Sequence, residues 1–197
     1  MSRKSFLTWM SWIGLAVVVM LVAAGGLLTW GSSYTQTQVR DQLAAQQISF
    51  PPAGPGLDPE QYPELQQYAG QQVVNGEQAN AYATYIQSHL DAIAGGQTYS
   101  QVSAASREDP ENEELLAQRE SLFMGTTLRG MLLQAYAFST IGTVAWVGAV
   151  VAFAAAGILL VLVIVGFVRA RQLSEAEATV PEAQRSAARD PLPAQGC

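Results

Sequence analysis

Two long runs without a single charged residue restrict this chain more than any other feature. The first covers 25 positions from Phe6 to Trp30, and the second covers the 39 positions between Arg129 and Arg169. A helix of about 20 apolar residues crosses the hydrocarbon core of a membrane. We therefore predict an all-α membrane protein that has two transmembrane helices and a small helical extracytoplasmic domain between them.

The first run could instead be a secretory signal, whose apolar core covers about 7–15 residues. This run is longer, no clear cleavage site follows it, and Trp30 stands where aromatic interfacial anchors are common. We therefore interpret it as an uncleaved membrane helix. The lone cysteine, Cys197, allows no disulfide within the chain.

Basic residues near the ends of the two runs predict the orientation. Arg3 and Lys4 precede the first run, and Arg169 and Arg171 follow the second. The segment 31–140 contains only four arginines against twelve acids, a formal balance of −8. Because Lys and Arg favour the cytoplasmic side, we expect a plasma-membrane protein with both termini in the cytoplasm. The acidic outer segment argues against nucleic acid as a partner.

These expectations divide the chain into five parts. They are a cytoplasmic N-terminus at 1–5, transmembrane helices at 6–30 and 144–168, an extracytoplasmic helical domain at 31–143, and a disordered cytoplasmic tail at 169–197. The second run is too long for a bilayer, because 39 helical residues measure about 58 Å against about 30 Å of hydrocarbon. We expect one long helix that continues outside the membrane, and an outward extension of the first helix.

Capping signals predict the helices of the middle segment. The predicted starts are the Asp-Pro pairs at 58–59 and 109–110, Asn75 with Gln78, and Thr98 with Gln101. The glycine pair at 95–96 predicts the end of the helix that begins after Asn75. On that helix we expect one face to carry Tyr82, Ile86, His89, Leu90 and Ile93.

His89 is the only histidine, and it has two interpretations. It could be a metal ligand or general base, since histidine titrates near neutral pH, or it could be one residue of a packed helix. Zinc and non-haem iron sites need further ligands that the chain does not offer, and no nucleophile motif is present. We expect no enzyme, and no catalytic residue, cofactor or metal.

Two sets of residues are candidates for binding. A pocket or partner face in the outer domain would use Tyr82, Tyr85, Ile86, His89 and Leu90. The second set has small residues four positions apart, and such spacing lets membrane helices approach closely. Its members, Gly148, Ala152 and Ala156, would pack against a partner or against the first helix, or the spacing arises by chance in an alanine-rich membrane helix.

The segments YAGQQVVNGEQANAYATYIQSHL and LFMGTTLRGMLLQAYAF lie between the two apolar runs. Residues 5–168, which include both segments, resemble a family of actinobacterial membrane proteins with two transmembrane helices. Members of this family often carry the label aromatic ring-opening dioxygenase, which implies an iron enzyme. The single histidine does not support that activity, and the resemblance assigns no role to any residue.

The sequence therefore favours a non-catalytic accessory or assembly subunit of a bacterial envelope complex, respiratory or transport. Neither predicted membrane helix contains a charged residue, which argues against an ion pathway. Its partners would be membrane lipids and either another membrane protein or further copies of itself. The alternative is an extracytoplasmic module that binds a lipid or small ligand, anchored by the two helices.

Overall fold

The computed structural model describes the backbone of residues 3–178 and the side chains of residues 8–172. It is all-helical, and two long apolar helices flank a helical middle segment, as predicted. The α-helices are α1 (Arg3–Gln46), α2 (Gly76–Ala94), α3 (Tyr99–Glu108) and α4 (Glu113–Ala178), and a 3-10 helix covers Pro63–Tyr68.

Helices α1 and α4 each contain a stretch that is long and apolar enough to cross a membrane. These stretches are Thr8–Gln46 and Glu113–Gln172, and in each the most apolar window is only 11% buried. A helix that forms the core of a soluble protein is mostly buried, so the exposure of α1 and α4 is the pattern expected of lipid-facing helices. Length, composition and exposure are therefore all consistent with membrane insertion.

Helix α4 is continuous from Glu113 to Ala178, which confirms the prediction of one long helix. It also corrects the predicted start of the tail. Residues 169–178, which we expected to be disordered, continue the helix, while residues 179–197 lie outside the described residues. The charges at Arg169 and Arg171 do not end the helix, because arginine is a good helix former.

The chain divides into two compact units. The first contains the described residues of Met1–Leu27 and Ala149–Cys197, and the second is Leu28–Gly148. Within the first unit α1 and α4 are in contact, since the rings of Trp12 and Phe167 meet edge to face with their centroids 6.0 Å apart.

Two small cores hold the second unit together. The first joins the end of α1 to α2, α4 and the loop between α1 and α2, and it contains Val39, Leu43, Phe50, Val73, Ala79, Ala83 and Leu132. The second joins the end of α2 to α3 and α4, and it contains Leu90, Ala94, Val102 and Leu122. Both cores therefore require α4 as one wall.

Two of the predicted helix starts are confirmed in atomic detail. The Asn75 Oδ1 atom accepts a hydrogen bond from the Gln78 backbone N–H at 2.9 Å, and α2 follows. Thr98 and Gln101 form a reciprocal capping box at the start of α3. Helix α2 ends before Gly95, whose φ of +57° is the left-handed conformation that glycine adopts without strain.

The two Asp-Pro pairs do not begin helices, and both predictions are corrected. Asp58 caps only a turn, in which its Oδ1 accepts from the Glu60 N–H at 2.8 Å, and the 3-10 helix starts later at Pro63. The Asp109 N–H donates to the Ala105 carbonyl and so ends α3. Helix α4 is capped instead by Asn112, whose Oδ1 accepts from the Leu115 N–H at 3.1 Å.

The buried face of α2 also differs from the predicted one. Its most buried apolar positions are Ala79, Ala83, Leu90 and Ala94. His89 and Ile93 are exposed. Alanine is short, so a face rich in alanine lets α2 lie close to its neighbours, and the bulkier residues of the predicted face are partly turned to the outside.

Candidate docking groove

The five residues predicted to form a pocket are distributed over different surroundings. Tyr82 and Ile86 pack against the first core, and Leu90 is buried in the second. Tyr85 and His89 belong to a cluster of aromatic rings at the surface. Ile86 also contacts the second core, and the rings of Tyr82 and Tyr85 lie 5.7 Å apart, so the five side chains connect the two cores with the aromatic cluster.

His89 takes part in helix packing. Its Nδ1 atom is 2.9 Å from the backbone oxygen of Tyr85, and the two rings are 4.4 Å apart. The ring of Tyr62 lies nearly parallel to the imidazole at 6.4 Å. Among the residues with described side chains, no group of three His, Cys, Asp or Glu residues could hold a metal ion. The surroundings of His89 therefore match its packing interpretation.

The tyrosines of this cluster form hydrogen bonds between α2 and the loop that follows α1. The hydroxyl of Tyr85 donates to the Gly56 carbonyl at 2.9 Å, and the hydroxyls of Tyr62 and Ser88 share a hydrogen bond of 2.6 Å. Burial raises the pKa of Tyr82. Burial also raises the pKa of Tyr85, and the charges that Tyr82 and Tyr62 would carry raise it further. Both tyrosine hydroxyls therefore stay protonated to a higher pH than an exposed tyrosine does.

The predicted helix-packing face consists of Gly148, Ala152 and Ala156, and Gly148 faces α1. In the second unit, a Cβ atom on Gly148 would touch the Leu28 side chain of α1 at 3.4 Å. In the first unit Ala156 is buried and Ala152 is half-buried. Of the two roles considered for this face, contact with the first helix is the one that Gly148 displays.

The second unit contains an open groove between α1 and α4, with a volume of about 500 Å³. We call it the outer groove, and none of the predicted site residues lines it. Its α1 wall consists of Tyr34, Thr35, Gln38, Val39, Gln42, Leu43 and Gln46, and Ile48 follows that wall. Its α4 wall consists of Leu128, Met131, Leu132, Gln134, Ala135 and Phe138. No lining residue carries a charge.

The α4 wall keeps large apolar side chains in contact with the outside. Met131 is 63% exposed, Phe138 is 50% exposed and Leu128 is 37% exposed. Leu132, one residue from Met131, is only 1% exposed because it faces the first core. The floor of the outer groove, formed by Leu132, is therefore packed. Its rim, formed by Leu128, Met131 and Phe138, is apolar and exposed.

Four exposed apolar residues of α4 and the half-buried Ala135 follow the seven-residue repeat of coiled coils. Met124, Met131 and Phe138 are spaced by seven, and Leu128 and Ala135 lie at the complementary positions four residues after each methionine. Apolar residues at these two positions of a heptad normally face another helix. This repeat is a sequence signal for a further helix contact on α4, but it does not tell which apolar stripe of α4 the chain itself covers.

A polar contact joins α1 and α4 near the end of the outer groove. The Gln36 side-chain amide donates to the Ser139 carbonyl at 3.0 Å, and the Ser139 hydroxyl donates to Gln36 Oε1 at 3.2 Å. Gly142 leaves room for this amide, since a Cβ atom there would lie 3.1 Å from Gln36 Nε2. The contact fixes the spacing of the two helices and therefore the width of the outer groove.

Comparison of the chain with protein-family models, with curated proteins and with solved structures gives no match.

Proposed function

We propose that this chain is a non-catalytic, membrane-anchored accessory subunit that binds another envelope membrane protein. In this proposal the apolar parts of α1 and α4 cross the plasma membrane, both termini are cytoplasmic, and 31–143 is extracytoplasmic. The two charge-free runs and the low burial of both helices support the membrane crossing. The arginine and lysine distribution supports the orientation.

The observation that carries the binding role is the uncovered apolar rim of the outer groove. Leu128, Met131 and Phe138 precede the predicted membrane segment, so in this orientation they would contact water and not lipid. Contiguous exposed apolar surface with a polar border commonly marks an interaction site. Full burial of a fully exposed side chain of this size contributes about 1.5–3 kcal/mol, so burying the exposed part of Met131 or Phe138 contributes roughly half of that. The Gln side chains of the α1 wall supply the polar border.

A second candidate function uses the same groove to bind an apolar small molecule or a lipid chain. The volume of about 500 Å³ falls within the range of small-ligand sites, which favours this alternative. Such sites usually enclose most of the ligand, whereas the outer groove is open along one side. A helix covers an open groove better than a single chain of methylene groups does, so the accessory role remains our proposal.

The test is affinity purification of the full chain from native membranes in mild detergent, with partners identified by mass spectrometry. We expect a stoichiometric membrane protein with the wild-type chain and its loss with Met131→Glu. Thr126→Glu is the matched control, because it adds the same charge at an exposed position of α4 away from the groove. Elution of the wild-type chain alone would refute the accessory role, and a retained lipid would favour the alternative.

The membrane orientation is tested with the single native cysteine. A thiol reagent that cannot cross membranes should label Cys197 only after the cells are opened. In a Cys197→Ser background, Thr126→Cys should be labelled in intact cells, because position 126 lies in the segment proposed to be outside. The reverse pattern would refute the orientation.

A further inference from the structure

We infer that the outer groove receives one α-helix from a different membrane protein, and that this helix is the outward continuation of a membrane-spanning segment with uncharged apolar residues at heptad spacing. The inference rests on the proposed function and adds the chemistry of the partner to it. The shape, the position and the charge of the groove each support one part of this description.

The shape of the outer groove fits a helix. Leu128, Met131, Ala135 and Phe138 of the α4 wall alternate at steps of three and four, which is the spacing that receives the side chains of a facing helix. This stripe is about 15 Å long at 1.5 Å per residue, so about ten residues of a partner helix would cover it. With α1 and α4 it would form a three-helix arrangement around the packed floor.

The position of the outer groove indicates where this helix comes from. Tyr34 lies four residues after Trp30, and Phe138 lies six residues before the predicted membrane segment 144–168. The lower end of the groove would therefore lie within about 6–9 Å of the membrane, from the helix rise. A helix that fills the groove over its whole length needs only about four to six more residues to reach the bilayer, where a helix is the structure that satisfies its own backbone.

The uncharged lining of the outer groove indicates which side chains a partner helix would present to it. All fourteen lining residues are uncharged, so the facing stripe must also be uncharged to avoid burying an unpaired charge. The amides of Gln38 and Gln42 both donate and accept, and they can pair with serine, threonine or amide groups at the edge of the partner stripe.

The occupant is a different protein because a second copy would bring together two strongly acidic segments. The segment 31–140 has a formal balance of −8, with twelve acids and four arginines. Two copies would repel each other at this charge, whereas a partner with basic residues beside its apolar stripe is attracted. We therefore expect recovery of the partner to decrease at high salt, since salt screens this attraction.

The experiment uses the full chain in native membranes with a photo-crosslinking residue, p-benzoylphenylalanine, at position 131, at position 138 or, as control, at position 126. The expected product at 131 and 138 is a crosslink to another membrane protein, within about 15 residues of one of its apolar spans. The crosslinked segment should have uncharged residues at heptad spacing. Position 126 should give at least about tenfold less product, which corresponds to about 1.4 kcal/mol of preference.

The other outcomes separate the inference from the proposed function. Crosslinks to residues of a second copy, to lipid or to a protein without a membrane span overturn the inference. A partner that copurifies but is not crosslinked at 131 or 138 also overturns it, and leaves the accessory role intact. The absence of both crosslinks and copurified protein refutes the accessory role itself.

Discussion

Because α2 approaches α4 closely, we predict that replacing glycine by alanine lowers stability at one position of the second unit and raises it at another. Gly76 is the first residue of α2, and a Cβ atom there would overlap the Cβ and Oγ atoms of Ser139 and lie 3.4 Å from the Tyr136 Cα atom. The Ser139 Cβ atom and the Tyr136 Cα atom are fixed to the backbone and cannot rotate away. Gly130 lies within α4, where a Cβ atom would meet nothing within 4 Å.

The magnitudes follow from packing and helix propensity. Overpacking of this kind costs about 1–3 kcal/mol, so Gly76→Ala should destabilise the attachment of α2 by that amount. Gly130→Ala should stabilise α4 by about 1 kcal/mol, because alanine is the better helix former and no atom opposes its methyl group. The two variants should therefore differ by about 2–4 kcal/mol, or roughly 30-fold or more in an opening equilibrium.

The assay is amide hydrogen exchange of the full chain in detergent, followed for peptides that cover 76–94. We expect faster exchange in Gly76→Ala and unchanged or slower exchange in Gly130→Ala. Adding Ser139→Gly should cost less in the Gly76→Ala background than in the wild type, because it removes the overlapping atoms. Wild-type exchange in Gly76→Ala would refute the close packing, and equal destabilisation by both alanines would refute the steric explanation.

Three further predictions concern the second unit. Asn75→Ala should lower the unfolding free energy by about 1 kcal/mol while Asn75→Ser changes it little, as measured by thermal unfolding, because only alanine removes the cap acceptor. Leu132→Ala should cost about 2–5 kcal/mol in the same assay, since this side chain is almost fully buried in the first core, and a smaller loss would contradict that burial. Because burial raises the pKa of Tyr82 in the folded chain, the stability linked to its neutral form is complete below about pH 10 and decreases as the pH rises through the raised pKa. Melting temperatures measured across this range should fall for the wild type and fall less for Tyr82→Phe, and equal falls would refute the assignment to Tyr82.

Local chemistry made much of the fold predictable. The charge-free runs identified α1 and α4, and side-chain caps at Asn75 and Thr98 located α2 and α3. These signals work from sequence because donor and acceptor lie three residues apart. Gly95 is equally local, since its left-handed backbone ends α2 whatever the surroundings.

The two Asp-Pro pairs misled for a physical reason. An aspartate next to proline can cap a helix, a turn or the preceding helix, and the choice depends on which backbone N–H groups have no other partner. The backbone N–H of Asp109 pairs with the Ala105 carbonyl at the end of α3, and the side chain of Asn112 caps α4 instead. The dipeptide alone does not contain this information.

The outer groove was not predicted because it depends on which stripe of α4 is covered. Leu132 and Met131 are adjacent and both apolar, yet one is buried and the other is largely exposed. Only the placement of α1 and α2 against α4 separates them. For His89 the lack of further ligand residues favoured helix packing over a metal or catalytic site, and the ring lies against Tyr85 and Tyr62.

The contact between Gln36 and Ser139 has a consequence for the synthesis of the chain. The two residues are 103 positions apart, and a ribosome that adds about 5–20 residues per second needs about 5–20 s to make the intervening segment. For that interval α1 exists without the helix that completes its polar and apolar contacts. If α1 crosses the membrane as proposed, we expect lipid or the insertion machinery to cover its apolar residues until α4 emerges.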